Sequence, residues 1–241
     1  MRLLVTRPEP DAQATIDRLA ALAIEGVAMP VMTRQTLDTH LPPPKGFAAL
    51  AVTSTNALRA LADRGLLDAM RDKPLFAVGD RTAHEARLLG FQTVSAADGT
   101  LESLVTAIAL ARIEGPVLYP AGKHLSGDLA RSLAPHGLMV ATIPVYEMVA
   151  EMSLPPEQSQ ALAEGQFDGA LFYSRRTAEI FCSLAPLPEA RRRTLPVLCM
   201  SENVAAPLFE NHFSRVLLAD HPSEEAMMAL ALAFAREQTA P

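Results

Sequence analysis

A chain of 241 residues, 49% of them apolar and 20% charged, can bury a sizeable core. Disorder is excluded, and either two ordinary domains or one large α/β domain fits the length. The net charge of −6, with 21 basic residues spread along the chain, argues against nucleic acid as a partner but leaves room for a locally basic cleft that takes an anionic small molecule.

In chain order, short apolar runs alternate with helical spacing. A strand at Leu3–Thr6 is followed by a helix over Asp11–Ala23 and a weaker strand at Val27–Met29. Met29-Pro30-Val31-Met32-Thr33 then reads as an extended crossover, because proline fixes φ and donates nothing to a sheet. Leu41-Pro42-Pro43-Pro44-Lys45 is linker-like. Strands at Leu50–Thr53 and Leu75–Val78 precede helices over Asn56–Ala62 and Ala83–Leu89, and a weak strand at Thr93–Ser95 leads to a helix over Leu101–Ile113. Beyond it come a strand at Val117–Tyr119, a weak one at Met139–Ile143 and a second crossover at Ile143-Pro144-Val145-Tyr146-Glu147. Strands at Ala170–Tyr173, Val197–Met200 and Val216–Ala219, with a helix over Glu224–Ala235, complete a count of ten strands. Runs of about four residues that are apolar throughout suit strands covered on both faces, and strand alternating with helix means parallel sheets wrapped by helices.

The chain also repeats itself. Leu3-Leu4-Val5 matches Val117-Leu118-Tyr119, and Pro30-Val31 matches Pro144-Val145, at an offset of 114. Phe47 to Ser54 matches Phe167 to Ser174 at 120, and Pro74 to Asp80 matches Pro196 to Glu202 at 122. A period this long indicates two similar domains rather than a solenoid. If both proline segments are crossovers, one domain is 1–33 plus 150–241 and the other 34–149; a single cut near 114 is the simpler alternative.

In open parallel sheets, ligands bind beyond the carboxyl ends of the strands, where helix N-termini offer free N–H groups. Six loops fall there: Thr6-Arg7-Pro8, Thr53-Ser54-Thr55-Asn56, Gly79-Asp80-Arg81-Thr82, Ala121-Gly122-Lys123, Ser174-Arg175-Arg176-Thr177 and Ser201-Glu202-Asn203. For any one loop, helix capping is the simpler explanation of the hydroxyls and small residues. Arginine or lysine in four of the six tilts the set toward a ligand rich in carboxylates or phosphates. Asp80 and Glu202 read as solvent residues stabilised by helix dipoles. Tyr146 lies at a crossover, open to both a packing and a ligand role. Neither GxGxxG, GxxxxGK[ST] nor GxSxG occurs, the six histidines lack helical zinc spacing, and Cys182 and Cys199 form no CxxC, so nucleotide-dependent and serine-hydrolase chemistry lack support and no structural metal is expected. No charge-free stretch reaches the roughly 18–20 residues of a membrane helix. Met1-Arg2-Leu3-Leu4-Val5-Thr6-Arg7-Pro8 does not read as a secretory leader, so no membrane partner and a cytoplasmic location are expected.

Leu4-Val5-Thr6-Arg7-Pro8, Met29-Pro30-Val31, Val52-Thr53-Ser54 with Asn56-Ala57, Ala77-Val78-Gly79 with Thr82-Ala83, Leu118-Tyr119-Pro120-Ala121-Gly122, Ile143-Pro144-Val145-Tyr146 and Phe172-Tyr173-Ser174, taken in order, resemble the uroporphyrinogen-III synthases. The resemblance covers nearly the whole chain and rests on the ordered set, no single motif being specific. It implies two flavodoxin-like domains, each a parallel five-stranded sheet flanked by helices, joined by a two-stranded linker with an interdomain cleft. It also implies a monomeric, cofactor-free lyase of tetrapyrrole (haem) biosynthesis that closes linear hydroxymethylbilane, a polycarboxylate, to uroporphyrinogen III with loss of water and inversion of ring D. By matching motif positions, Tyr146 assists departure of the hydroxyl, and Thr53, Ser54, Thr82 and Ser174 are hydrogen-bonders. Arg7, Arg81, Lys123, Arg175 and Arg176, with Gly79, Gly122 and Asn203, complete the expected substrate-binding set. The chain departs from the family at Ser201-Glu202-Asn203-Val204, where a Gly followed by a Thr pair is frequent, which leaves that loop mainly its backbone N–H groups. Two other classes stay open on the residues alone: a non-catalytic two-lobed binding module for an anionic small molecule, and a two-domain transferase using an activated sugar.

Overall fold

Strands that are apolar at every position need cover on both faces, and that requirement organises the molecule. The computed structural model describes residues 1–125, 127–185 and 187–239. Its first half runs β1 (Arg2–Val5), α1 (Asp11–Ala21), β2 (Glu25–Ala28), β3 (Met32–Thr36), β4 (Ala49–Val52), α2 (Thr55–Asp63), β5 (Leu75–Ala77), α3 (Asp80–Leu88), β6 (Val94–Ala96) and α4 (Leu101–Leu110). The second half runs β7 (Val117–Gly122), α5 (Leu129–Leu133), β8 (Val140–Ala150), α6 (Pro156–Glu164), β9 (Gly169–Phe172), α7 (Arg175–Leu184), α8 (Glu189–Thr194), β10 (Val197–Cys199), α9 (Glu202–Glu210), β11 (Val216–Leu218) and α10 (Glu224–Thr239). The chain divides into two units, Met1–Thr33 with Val149 onward, and Arg34–Met148.

In the first unit five parallel strands lie in the order β11-β10-β9-β1-β2. Leu3 and Val5 of β1, Leu171 of β9 and Leu198 of β10 pack against Ala12 and Leu19 of α1 and Met227, Ala231 and Phe234 of α10. The alternate residues point to the other face, where the Phe172 ring meets Phe181 of α7 edge-on with centroids 5.0 Å apart and Phe181 lies 6.2 Å from Phe213.

In the second unit the order is β3-β8-β7-β4-β5-β6. Leu50 and Val52 of β4 face Leu58 and Leu61 of α2 and Ala83 and Ala86 of α3. Ala49 and Ala51, one step out of phase, face Leu104 and Ile108 of α4 and Leu129 and Leu133 of α5. This sheet has six strands, where five are expected. The sixth is β3, part of which reads as crossover in the sequence. The Leu37 N–H bonds the Val145 carbonyl at 2.8 Å and the Glu151 N–H bonds the Val31 carbonyl at 2.9 Å, a pattern that runs β3 antiparallel to β8. With β3 the described strands number eleven rather than ten. Pro144 likewise does not interrupt β8. The register passes from Ala121↔Pro144 to Gly122↔Tyr146, so Val145 is an extra residue and the strand absorbs its proline beside a bulge. The α4 helix stops three residues earlier than its pattern suggests, because Arg112 turns into the left-handed region at φ 49°.

Mapped onto the sheets, the repeat explains the topology. Its offsets equate β1 with β7, β2 with β8, β4 with β9, β5 with β10 and β6 with β11. Under that equivalence both units have the same strand order, and each is assembled from the first two strands of one repeat and the last three of the other. In the first unit the order is the doubly wound 2-1-3-4-5; the second is its circular permutant.

Candidate active site

The carboxyl end of the second unit's sheet gathers Thr53 and Ser54 after β4, Gly79 after β5, Gly122 and Lys123 at the end of β7, and Tyr146 in β8. Ser54 caps α2, accepting a hydrogen bond from the Asn56 N–H at 3.2 Å. Gly79 occupies the equivalent position before α3 but has no side chain to cap with. Arg81 and Thr82 lie in the first turn of α3; Arg81 is exposed, whereas Thr82 is turned inward and only 6% exposed.

The bulge in β8 re-aims Tyr146 across the strand end. Its ring lies so close to Gly122 that a Cβ there would sit 2.9 Å from Cζ and 3.0 Å from the phenol oxygen. The Lys123 N–H bonds the Tyr146 carbonyl at 2.8 Å, which pins the β7 loop to the β8 bulge. Beneath this end, Thr53 Oγ1 and the Tyr119 phenol are 2.9 Å apart. Burial pushes the Tyr119 phenol above its usual range, against the opposing pull of the Thr53 hydrogen bond, so it stays a neutral hydrogen-bonding group at any physiological pH. Sequence reasoning places Tyr119 in an apolar run; its alternation with Ala121 along β7 is the available signal that its side chain reaches the strand end.

Lys123 and His124 converge on one carboxylate. Lys123 Nζ is 2.9 Å from Glu147 Oε2, and His124 Nε2 is 3.3 Å from Glu147 Oε1. Glu147, also missed from sequence, is held below the usual carboxylate range chiefly by its hydrogen bond from Lys123.

The first unit presents a matching set of strand ends. Ser174 caps α7 as Ser54 caps α2, accepting from the Thr177 N–H at 3.2 Å. Ser201, like Gly79, makes no side-chain cap. Arg175 pairs with Glu179 at 2.8 Å and reaches Asn203 Oδ1 at 3.5 Å, so these two expected ligand residues do meet. Arg176 is exposed in the same helical turn.

Arg7 is the exception and corrects the expectation of a substrate-facing cation. It is 6% exposed, with its Nη1 2.9 and 2.7 Å from the two Glu224 oxygens and 3.0 Å from Thr15 Oγ1. Its Nη2 lies 3.4 Å from Asp11, and its guanidinium stacks 4.1 Å above the Tyr173 ring. Burial alone would lower its pKa, yet Glu224 and Asp11 raise it, so the charge is permanent and internally neutralised.

Other chemistry finds little footing among the described residues. No three His, Cys, Asp or Glu side chains gather as a metal site. Cys182 and Cys199 are buried, and burial pushes their thiols up to about 11 and about 12, which removes them as nucleophiles. A groove of about 180 Å³ between α6 and the start of β1 lies at the amino end of the strands, and Arg2, Gln160, Glu164 and Gln166 spend their polar groups on one another there. No helix among the described residues is long and apolar enough to cross a membrane.

Residues 13–229 match the family model described as uroporphyrinogen-III synthase HemD. The chain belongs to the uroporphyrinogen-III synthase family. It is thereby placed among the enzymes of haem biosynthesis. Two solved structures show the same fold. The uroporphyrinogen-III synthetase from Helicobacter pylori 26695 is 21% identical with a TM-score of 0.68, over 97% of this chain and 99% of that one. A mutant uroporphyrinogen III synthase from Thermus thermophilus is 19% identical with a TM-score of 0.57, over 99% and 98%. In this member of the family, the second unit brings Thr53, Tyr119 and Tyr146 to its strand ends, and the first carries Ser174, Arg175, Arg176 and Asn203 at helix starts.

Proposed function

We propose that this chain is a cytoplasmic, monomeric lyase that closes hydroxymethylbilane to uroporphyrinogen III, with the second unit's strand ends supplying the reacting groups. The two units act as flavodoxin-like lobes linked through β3 and β8, and take the polycarboxylate substrate in an interdomain cleft, as the family resemblance implies. The observation that carries the reading is the Tyr146 phenol, laid over Gly122 at a strand end beside the Thr53–Tyr119 pair and the uncapped start of α3. Carboxylates of the substrate are held by helix N–H groups and by Arg81, Lys123, Arg175 and Arg176, with Ser54, Ser174 and Asn203 as neutral partners. Thr82 and Arg7 are left out of direct contact by their burial.

Chemically, loss of the hydroxyl generates an azafulvene cation, and attack on it at the substituted carbon of ring D leads through a spiro intermediate to the type III isomer. Unassisted closure gives type I. The enzyme's main work is therefore positional, and holding the reacting carbons in line is worth several kcal/mol. Tyr146 guides the departing hydroxyl by hydrogen bonding. Freshly generated hydroxymethylbilane, closed by the chain and oxidised to porphyrin, should give type III in excess; type I alone would overturn the assignment.

Two kinetic results are expected. Tyr146→Phe lowers kcat by roughly ten- to a hundredfold while uroporphyrinogen binding changes by less than about threefold; full turnover in that variant would remove the phenol from the mechanism. Lys123→Ala or Arg175→Ala raises KM by roughly three- to tenfold with kcat nearly kept, since anchoring a remote carboxylate stabilises substrate and transition state alike. A selective fall in kcat would contradict anchoring.

A further inference from the structure

The Lys123–Glu147–His124 cluster has a geometry that an ordinary surface ion pair does not require. One carboxylate receives two cationic or potentially cationic side chains, one on each oxygen, at the strand end that also carries Tyr146. The Lys123 and His124 side chains are 53% and 62% exposed, whereas that of Glu147 is 21% exposed: the acid is tucked beneath the two groups it holds. The backbone bond from Lys123 to Tyr146 fixes the loop that bears both. We infer that Glu147 is a resident stand-in for a substrate carboxylate: it keeps Lys123 and His124 gathered at this strand end in the unliganded protein and yields them when an incoming carboxylate takes its place.

Exposed ion pairs are weak and open readily, so the exchange meets a low barrier and needs no movement of the backbone. The cluster replaces two mobile side chains by a pair already gathered, which reduces the ordering cost at binding, and Glu147 competes with the ligand for them. Glu147 acts through Lys123 and His124 and is a positioning residue that sets affinity. The inference rests on the proposed reading that the ligand is a polycarboxylate received at this strand end.

The test uses the full chain and benzenehexacarboxylate, a polycarboxylate that undergoes no turnover, titrated calorimetrically at low ionic strength. Glu147→Gln is expected to tighten its Kd roughly three- to tenfold, and to lower KM for hydroxymethylbilane more than it alters kcat. In a Lys123→Met/His124→Ala background the same substitution should leave Kd unchanged, because the groups through which it acts are gone. Unchanged or weaker binding by Glu147→Gln, no binding of the probe by either protein, or an equal gain persisting in the Lys123→Met/His124→Ala background would each overturn the exchange, the last showing only a general field effect. Tightened binding of the probe with type I as the sole porphyrin would keep the exchange and sink the synthase reading. Type III product with an unresponsive probe would do the reverse.

Discussion

Arg7→Ala is expected to destabilise the first unit by about 3 kcal/mol, the cost of removing the buried member of a charge-paired network. The guanidinium binds both oxygens of Glu224 at 2.9 and 2.7 Å, touches Asp11 at 3.4 Å and covers the Tyr173 ring. Removing it takes from Glu224 its shortest ion pair, leaving Arg18 at 3.7 Å, and opens the space above the ring. Arg7→Lys should recover only part of the loss, since a point charge cannot reproduce the fork or the stack. Urea unfolding followed by circular dichroism, with Glu224→Gln alongside, checks this. A loss under about 1 kcal/mol would mean that the network is solvated and Arg7 is free to serve a ligand after all.

The second large effect concerns the glycine under Tyr146. A Cβ at Gly122 would sit 2.9 Å from the Tyr146 Cζ, so Gly122→Val pushes the ring off the strand end. Misplacement of a guiding group by about 1 Å costs on the order of a hundredfold in turnover, and that loss in kcat is the expected result. The strand itself tolerates a β-branched residue, so the melting temperature should move little. Turnover within about threefold of the parent would show that the position of the phenol does not limit the reaction.

The architecture is legible because its physical cause is local. Ala49–Val52 and Gly169–Phe172 are buried at every position, and that demand for cover on both sides is written in the residues themselves. Ser54 and Ser174 are equally readable, since an N-cap is decided within three residues of itself. What fails to show depends on partners far along the chain. Arg7 sits in a basic strand-end loop, and nothing near it reveals the acid 217 residues away that occupies its guanidinium. Pro144 looks like a break because local rules exclude it from a ladder; a one-residue bulge against β7 lifts the exclusion. The Glu189–Thr194 helix has no apolar face to announce it and is held by its neighbours. Tyr119 and Glu147 are hidden for a related reason: each gains its meaning from a cross-strand neighbour, Thr53 or Lys123, that the sequence does not juxtapose.

The exchange of strands between the two repeats has a consequence for biosynthesis. Strands β4 to β8 emerge from the ribosome consecutively and can meet as they appear. The leading strand β1 has no such neighbour on its β9 side: Arg2 is hydrogen-bonded to Asp168, 166 residues downstream. At about 5–20 residues per second, Leu3, Leu4 and Val5 wait on the order of 10–30 s for the partner that will cover them. During that interval the second unit's strands are complete while β1 still lacks its β9 neighbour, the moment at which a chaperone, or a neighbouring nascent chain, has most to grip.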